Sequence, residues 1–287
     1  MESIVINRLS ALAHPQRLSL LRLMIRRYPD KVPATELAEA LALKPNTLST
    51  YVSALTDAGL LTRERNGTSL LYRVDIDAVR KTFEYLLLDC CRGRPDVCVP
   101  SLVSFERENA AMEGRKFNVL FICSGNSARS IFAEAILRSE AGDRFNAYSA
   151  GTRPNSQINP FALDVLRHKG HDTSLLTSKH VKVFQAEDAP SFDFVITVCN
   201  RAANEECPSW DGQPVSAHWG MPDPVKVDGT DAAKSLAFQQ SYGALRNRIV
   251  AFTSLPFGTL DRLSLQRAVD DISEMDAADA GMAVSEV

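Results

Sequence analysis

Apolar residues recur at helical spacing through residues 4–27: Ile4, Leu9 and Leu12, then Leu18, Leu20, Leu21, Leu23 and Ile25. Pro15 falls where a second helix would begin, because proline at the first helical position sacrifices no hydrogen bond. The pattern therefore predicts two helices in close succession, ended by Pro29-Asp30-Lys31-Val32-Pro33. A short helix over 34–41 follows, and then a longer one, capped by Asn46, that runs through Leu48, Val52 and Leu55 to a stop at Ala58-Gly59. Short helix, tight turn and capped helix form a helix-turn-helix outline. Next come two strand-like runs, 60–65 and 68–74, on either side of Asn66-Gly67. Both of those residues tolerate positive φ, which predicts a type I′ hairpin, and a hairpin after a helix-turn-helix is a wing. A further helix over 76–89 carries Val79, Phe83, Leu86 and Leu87 and is placed to pair with a symmetry mate.

The pattern changes after residue 100. Residues 100–116 are polar and charged and suggest a partly helical connector. Phe117-Asn-Val-Leu-Phe-Ile-Cys123 is a short apolar run of buried-strand type, followed by a polar loop and an amphipathic helix over 131–139. A strand near 145–150, a helix over 160–168, a strand over 192–199 and helices over 232–255 and 260–272 continue the alternation. Such alternation argues for a parallel sheet with helices on both faces. The fold class expected is α/β overall, in four parts. These are a winged helix-turn-helix DNA-binding and dimerisation domain at 1–99, a linker at 100–115, an α/β domain at 116–273 and an acidic, disordered tail at 274–287.

Composition narrows the function classes. At 287 residues and 45% hydrophobic, the chain is long enough for two buried cores. Its net charge of −3 divides into +3 for residues 1–100 and −6 for the rest, so the first part is the one suited to DNA phosphates. No stretch reaches the ~18 apolar residues of a membrane span, and Met-Glu-Ser lacks a signal-peptide layout, so the cytoplasm is the compartment expected, with no membrane partner. In a reducing cytosol six cysteines point to metal binding or catalysis rather than structural disulfides.

Those cysteines fall into two groups of three. Cys90, Cys91 and Cys98 close the last helix of the first part, and Gly93 and Pro95 turn the chain so that Cys98 can fold back. Three thiolates with no nearby histidine favour a soft ion, and arsenite or antimonite suits them better than zinc, which usually takes a fourth ligand. The alternative is a set of free thiols packed as small hydrophobes. Cys123 opens the loop Ser124-Gly125-Asn126-Ser127-Ala128-Arg129-Ser130 between strand and helix. Backbone amides at a helix N-terminus converge on one point there, so the loop can bind a tetrahedral oxyanion and stabilise a thiolate. Arg129 offers a planar permanent cation, Ser130 a hydrogen bond to sulfur, and Gly125 and Asn126 the left-handed conformations of a tight cradle.

Residues 3–98, through Leu12-Ala-His-Pro-Gln-Arg-Leu-Ser-Leu-Leu21 and the order helix-turn-helix, wing, terminal helix, resemble the ArsR/SmtB family of metalloid-responsive repressors. The resemblance implies a homodimer on operator DNA. Asn46, Thr47, Ser49 and Thr50 would lie at the recognition helix, Arg63 and Arg65 on the wing, and arsenite at Cys90, Cys91 and Cys98 would weaken DNA binding. His14, in the Ala-His-Pro signature, is expected to be structural.

Residues 116–273 resemble the low-molecular-weight tyrosine phosphatase fold in its arsenate reductase branch. The likeness rests on Val119-Leu-Phe-Ile-Cys-Ser-Gly-Asn-Ser-Ala-Arg-Ser130, Val198-Cys199, Cys207-Pro208 and His218-Trp219-Gly-Met-Pro-Asp223-Pro224. It implies arsenate as substrate, Cys123 as nucleophile, Asp223 as general acid and a disulfide relay through Cys199 and Cys207. No tightly bound cofactor is implied. Val225 stands where phosphatases of this fold carry an aromatic residue, which disfavours phosphotyrosine. Ala128 replaces an extra cysteine of thioredoxin-linked relatives, so thioredoxin, glutaredoxin and a low-molecular-weight thiol all stay open as reductants. The function expected is an arsenite-responsive repressor fused to an arsenate reductase. The alternatives are a tyrosine phosphatase fused to a regulator, or a pure regulator with an inactive second domain.

Overall fold

The computed structural model describes residues 2–90, 115–186, 188–205, 210 and 212–275. Contacts divide the chain into two units, 1–114 and 115–287. Cys91, Cys98, Cys207, the linker before Arg115 and the tail after Met275 lie outside the described residues.

The first unit begins with α1 (Glu2–Leu12) and α2 (Pro15–Arg26). His14 is the N-cap of α2, its Nδ1 accepting from Gln16 N at 3.2 Å, and its ring lies 5.0 Å from that of Tyr51. The proline-flanked break is in part a strand, β1 (Val32–Pro33), which takes a sheet edge where a proline is tolerated. Helix α3 (Ala34–Ala40) leads to α4 (Pro45–Asp57), which buries Leu48, Val52 and Leu55 along one face. Asn46 is not its cap. Lys44 holds that position and Pro45, with its fixed φ, starts the helix, so Asn46 falls within the first turn. Gly59, at φ 69°, ends the run as expected.

Strands β2 (Leu61–Asn66) and β3 (Ser69–Val74) form the hairpin, and β1 pairs with the far side of β3. Asn66 pairs with Ser69, so the two-residue loop is Gly67-Thr68 rather than Asn66-Gly67. Only Gly67, at φ 57°, has positive φ there, the pattern of a type II′ turn and not of type I′. Helix α5 (Ile76–Glu84) is capped by Asp75, whose Oδ1 accepts from Ala78 N at 2.8 Å, and continues as a wider π-helical turn to Cys90.

The second unit is a parallel sheet in the order β5-β4-β6-β7, formed by β4 (Phe117–Cys123), β5 (Phe145–Gly151), β6 (Phe194–Thr197) and β7 (Val215–His218). The central β4 is apolar on both faces, with Val119, Leu120, Phe121 and Ile122 fully buried, as a strand covered on both sides requires. Strand β6 is shorter than the 192–199 run, and β7 was not anticipated, because its four residues alternate too briefly to register. Helices α6 (Arg129–Ala141), α7 (Pro160–His168), α8 (Asn200–Asn204), α9 (Asp231–Thr253) and α10 (Arg262–Asp271) complete the unit. Phe132, Phe145, Phe194, Trp219, Phe238 and Phe252 fill the core between sheet and helices. Among the described residues no helix is long and apolar enough to cross a membrane.

Helix α10 locks the end of β7: Trp219 Nε1 donates to Val269 O at 3.1 Å, and Gln266 Nε2 donates to Ser216 O at 2.8 Å and Asp270 Oδ1 at 3.0 Å. Burial pushes the Asp270 carboxyl up to about 7. An acid raised in the folded state binds more protons than the unfolded chain between about pH 4 and 7, so stability falls as pH rises through that window. Asp270→Asn keeps the Gln266 contact and is expected to stabilise the second unit by ~2 kcal/mol at pH 8, with no gain at pH 4. Urea denaturation at the two pH values measures it, and equal effects at both would remove burial of the charge as the cause.

Candidate active site

The site sits where β4 ends and α6 begins, at the carboxyl edge of a parallel sheet, where ligands of such folds bind. Cys123 is paired in register with Gly151, and a side chain at 151 would place its Cβ 2.7 Å from Ser124 O, so the close approach of β5 to the loop demands glycine. Within the loop only Asn126, at φ 43°, is left-handed; Gly125 is not. The expectation that both residues take that conformation is thus corrected. Asn126 tolerates it because its side chain is held on three sides. Its Nδ2 donates to Ser130 Oγ and to Ser149 Oγ, both at 2.9 Å, and its Oδ1 accepts from Lys179 N at 2.7 Å.

Behind Asn126 the network continues into buried charge. Ser149 Oγ donates to Glu134 Oε2 at 2.5 Å, and Lys179 Nζ lies 3.7 Å from the same oxygen while donating to Ser149 O at 3.2 Å. A carboxylate as buried as Glu134 needs such partners. Because Asn126 supplies the donor to Ser130 Oγ, the Ser130 hydroxyl hydrogen is left for Cys123 Sγ, 2.9 Å away. Asn126 N donates to the same sulfur at 3.1 Å.

Burial pushes the Cys123 thiol up, and the neighbouring Cys199 adds to the rise; the Ser130 contact and the Arg129 charge oppose it. Cys199 is buried just after β6, its Sγ accepting from Ser124 N at 3.3 Å and from Ala202 N at 3.4 Å as the N-cap of α8. Arg129 donates through Nη1 to Met221 O at 3.1 Å and pairs through Nη2 with Asp223 Oδ2 at 2.8 Å. The other Asp223 oxygen accepts from Val225 N at 3.2 Å, which fixes the carboxylate towards Arg129. The segment between Trp219 and Asp223 is anchored in turn by Arg248 Nη1, which donates to Trp219 O at 3.1 Å and Gly220 O at 3.3 Å.

A cavity of ≈ 330 Å³ opens over the sulfur. Cys123, Ser124, Gly125, Ser127, Ala128, Arg129 and Asp223 line it, and so does Val225. Asn126 and Ser130 lie fully buried behind this lining, and Cys199 adjoins it through Ser124. Arg153, Asn155 and Arg201 also line it and were missed from the sequence, as were Glu134, Ser149 and Lys179 behind the loop. A signal existed for Arg153, because loops leaving neighbouring parallel strands converge at the carboxyl edge and Arg153 lies two residues beyond β5.

In the first unit Asn46, Ser49 and Thr50 are exposed on the first turns of α4, Thr47 is half-buried, and Arg63 and Arg65 are exposed on β2. Cys90 is exposed at the end of the π-helical turn. Among the described residues no group of three or more His, Cys, Asp or Glu side chains could hold a metal ion.

A thiol delivered by a parallel strand to the start of a helix, where Asn126 N and Ser130 Oγ meet its sulfur, with an arginine and a carboxylate lining the same cavity, defines the phosphatase-type class of cysteine enzymes that handle oxyanions. Residues 118–256 match the family described as low molecular weight phosphotyrosine protein phosphatase, and residues 12–64 match the family described as helix-turn-helix domain. The arsenate reductase of Bacillus licheniformis is 36% identical over 137 residues, which span 48% of this chain and 95% of that protein. The arsenate reductase of Halalkalibacterium halodurans is 34% identical over 134 residues, spanning 47% and 93%. Through its second unit the chain belongs to the low molecular weight phosphotyrosine protein phosphatase family, in the group of the arsenate reductases. Among solved structures, a homodimeric winged helix-turn-helix DNA-binding domain from Mycobacterium bovis, described as a possible ArsR-family regulator, is 26% identical. The match covers 30% of this chain and 78% of that one, at a TM-score of 0.26.

A hydrogen bond to a charged group is worth about 1.5–3 kcal/mol, or roughly one to two pH units. Ser130→Ala is therefore expected to move the pH profile of Cys123 alkylation upward by about that much, since the thiolate loses a donor. An unmoved profile would assign the stabilisation to the loop amides alone.

Proposed function

We propose that this chain is an arsenite-responsive transcriptional repressor joined to a thiol-dependent arsenate reductase. The observation that carries the enzyme half is the convergence of Asn126 N and Ser130 Oγ on Cys123 Sγ beneath a cavity that also holds Arg129 and Asp223. Cys123 thiolate attacks the arsenic of a bound arsenate and forms a sulfur–arsenic bond. The displaced hydroxyl leaves as water with a proton from Asp223, while Arg129 and the loop amides hold the remaining oxygens. Cys199 thiolate then attacks Cys123 Sγ. A disulfide forms, the sulfur–arsenic bond breaks with its electron pair going to arsenic, and the arsenic, reduced from the pentavalent to the trivalent state, leaves as arsenite. Cys207 takes Cys199 from that disulfide and frees Cys123, and an external redox protein or small thiol reduces the Cys199–Cys207 pair.

Val225, exposed on the cavity wall, offers no aromatic face to a phosphotyrosine ring, which favours arsenate over aryl phosphate. For the repressor half the support is the helix-turn-helix match, with exposed Asn46, Ser49 and Thr50 on α4 and exposed Arg63 and Arg65 on the wing for operator DNA. Exposed Ile4 and Ile6 on α1, with Phe83 on α5 and Leu88 just beyond it, support a homodimer. Cys90, Cys91 and Cys98 are the proposed arsenite ligands, so one chain would make the arsenite it senses.

Purified protein is expected to produce arsenite from arsenate with either thioredoxin or glutaredoxin plus glutathione, and Cys123→Ser or Cys199→Ala to abolish turnover. Thiol-independent hydrolysis of aryl phosphate that survives loss of Cys199 would instead make it a phosphatase. On operator DNA, arsenate plus reductant should release the intact chain but not Cys123→Ser, which added arsenite still releases; release of that variant by arsenate would sink the coupling.

A further inference from the structure

Two guanidinium groups outside this scheme line the same cavity: Arg153, on the loop leaving β5, and Arg201, in α8. Their side chains are 65% and 63% exposed, and both face Glu205, whose Oε1 lies 3.0 Å from Arg153 Nη2 and 3.9 Å from Arg201 Nε. Glu205 is the residue that ends α8 and Cys199 the one that begins it. One end of a five-residue helix thus bears a buried sulfur, and the other bears a carboxylate tied to the cavity wall. Arg153 is itself fixed to the cradle, its backbone N donating to Ser124 O at 2.9 Å.

A helix this short is not stable by itself, so the contacts at its ends decide whether it stays wound. The Cys199 end is held by Ser124 N and Ala202 N, both of which the sulfur must leave to reach Cys123. The Glu205 end is held by ion pairs to exposed partners, which are worth about fivefold or less in an equilibrium constant. A multiply charged oxyanion in the same cavity competes for both guanidinium groups on better terms than one carboxylate.

Resting on the oxyanion-binding reading above, we propose that Arg153, Arg201 and Glu205 are positioning residues that form an anion-operated latch on α8. With the cavity empty, the two guanidinium groups hold Glu205 and keep α8 wound. When a tetrahedral oxyanion enters, they turn to it, Glu205 is released, and α8 loosens so that Cys199 can leave Ser124 and Ala202. Substrate occupancy then gates the mobility of the second sulfur, which protects it from idle oxidation in the empty enzyme.

Hydrogen exchange of the full chain, with inorganic phosphate as a non-reducible probe, tests this. Saturating phosphate is expected to slow exchange of the loop amides at 124–128 and to speed exchange at 201–205 at least threefold. Arg153→Ala should keep the loop protection but lose the response at 201–205, and Arg153→Lys should restore part of it. Glu205→Gln should exchange fast at 201–205 without phosphate and lower the KM for arsenate, a combination that simple loss of packing does not produce. Loop protection with unchanged or slower exchange at 201–205 in the wild type would overturn the latch and leave the oxyanion site standing. No loop protection at all would overturn both.

Discussion

A buried sulfur is stabilised as a thiolate only by donors fixed around it, and in this chain the donors to Cys123 Sγ are fixed by Asn126. Its left-handed backbone turns the loop, its amide nitrogen frees the Ser130 hydroxyl for sulfur, and its carbonyl oxygen ties the loop to Lys179. Solvent could supply none of this without also quenching the charge interactions that make a buried nucleophile useful. The sheet, the close pass of Gly151 and the buried Glu134 are best understood as supports for that one side chain.

The carboxylate that lines the cavity comes from another part of the chain. Asp223 lies on a segment whose start is pinned by Trp219 to α10 and by Arg248 to α9, while Arg129 reaches across from α6 to its end. Cys123 and Asp223 are therefore held by separate elements, and among the described residues Arg129 links them, leaving the loop that Cys123 opens to pair with Asp223.

Periodicity and punctuation located most elements, because buried strands such as 119–122 and one-sided helices such as α4 carry unmistakable patterns. What escaped was whatever depends on neighbours. Strand β1 exists because β3 offers it an edge, and β7 is too short to show alternation. The hairpin slid by one residue because register is set by pairing across the strands, while local turn preference favoured Asn66-Gly67. At the site, Cys123, Arg129, Ser130 and Asp223 were legible as motif residues. Arg153, Arg201, Glu134, Ser149 and Lys179 come from four separate stretches of chain, and only the folded sheet reveals that they meet.

The seating of Trp219 has an optical consequence. The chain holds two tryptophans, both in the second unit: Trp219 is sealed in the core, and Trp210 is half-buried against Phe192. An indole in a dry aromatic cluster emits at shorter wavelength than one touched by water, so the protein carries its own fluorophore four residues from the Asp223 carboxylate. The DNA-binding unit contributes no indole at all. Tryptophan emission from the intact chain, excited beyond the tyrosine band, therefore belongs wholly to the second unit, and a colour change on adding an oxyanion can be followed there without a label.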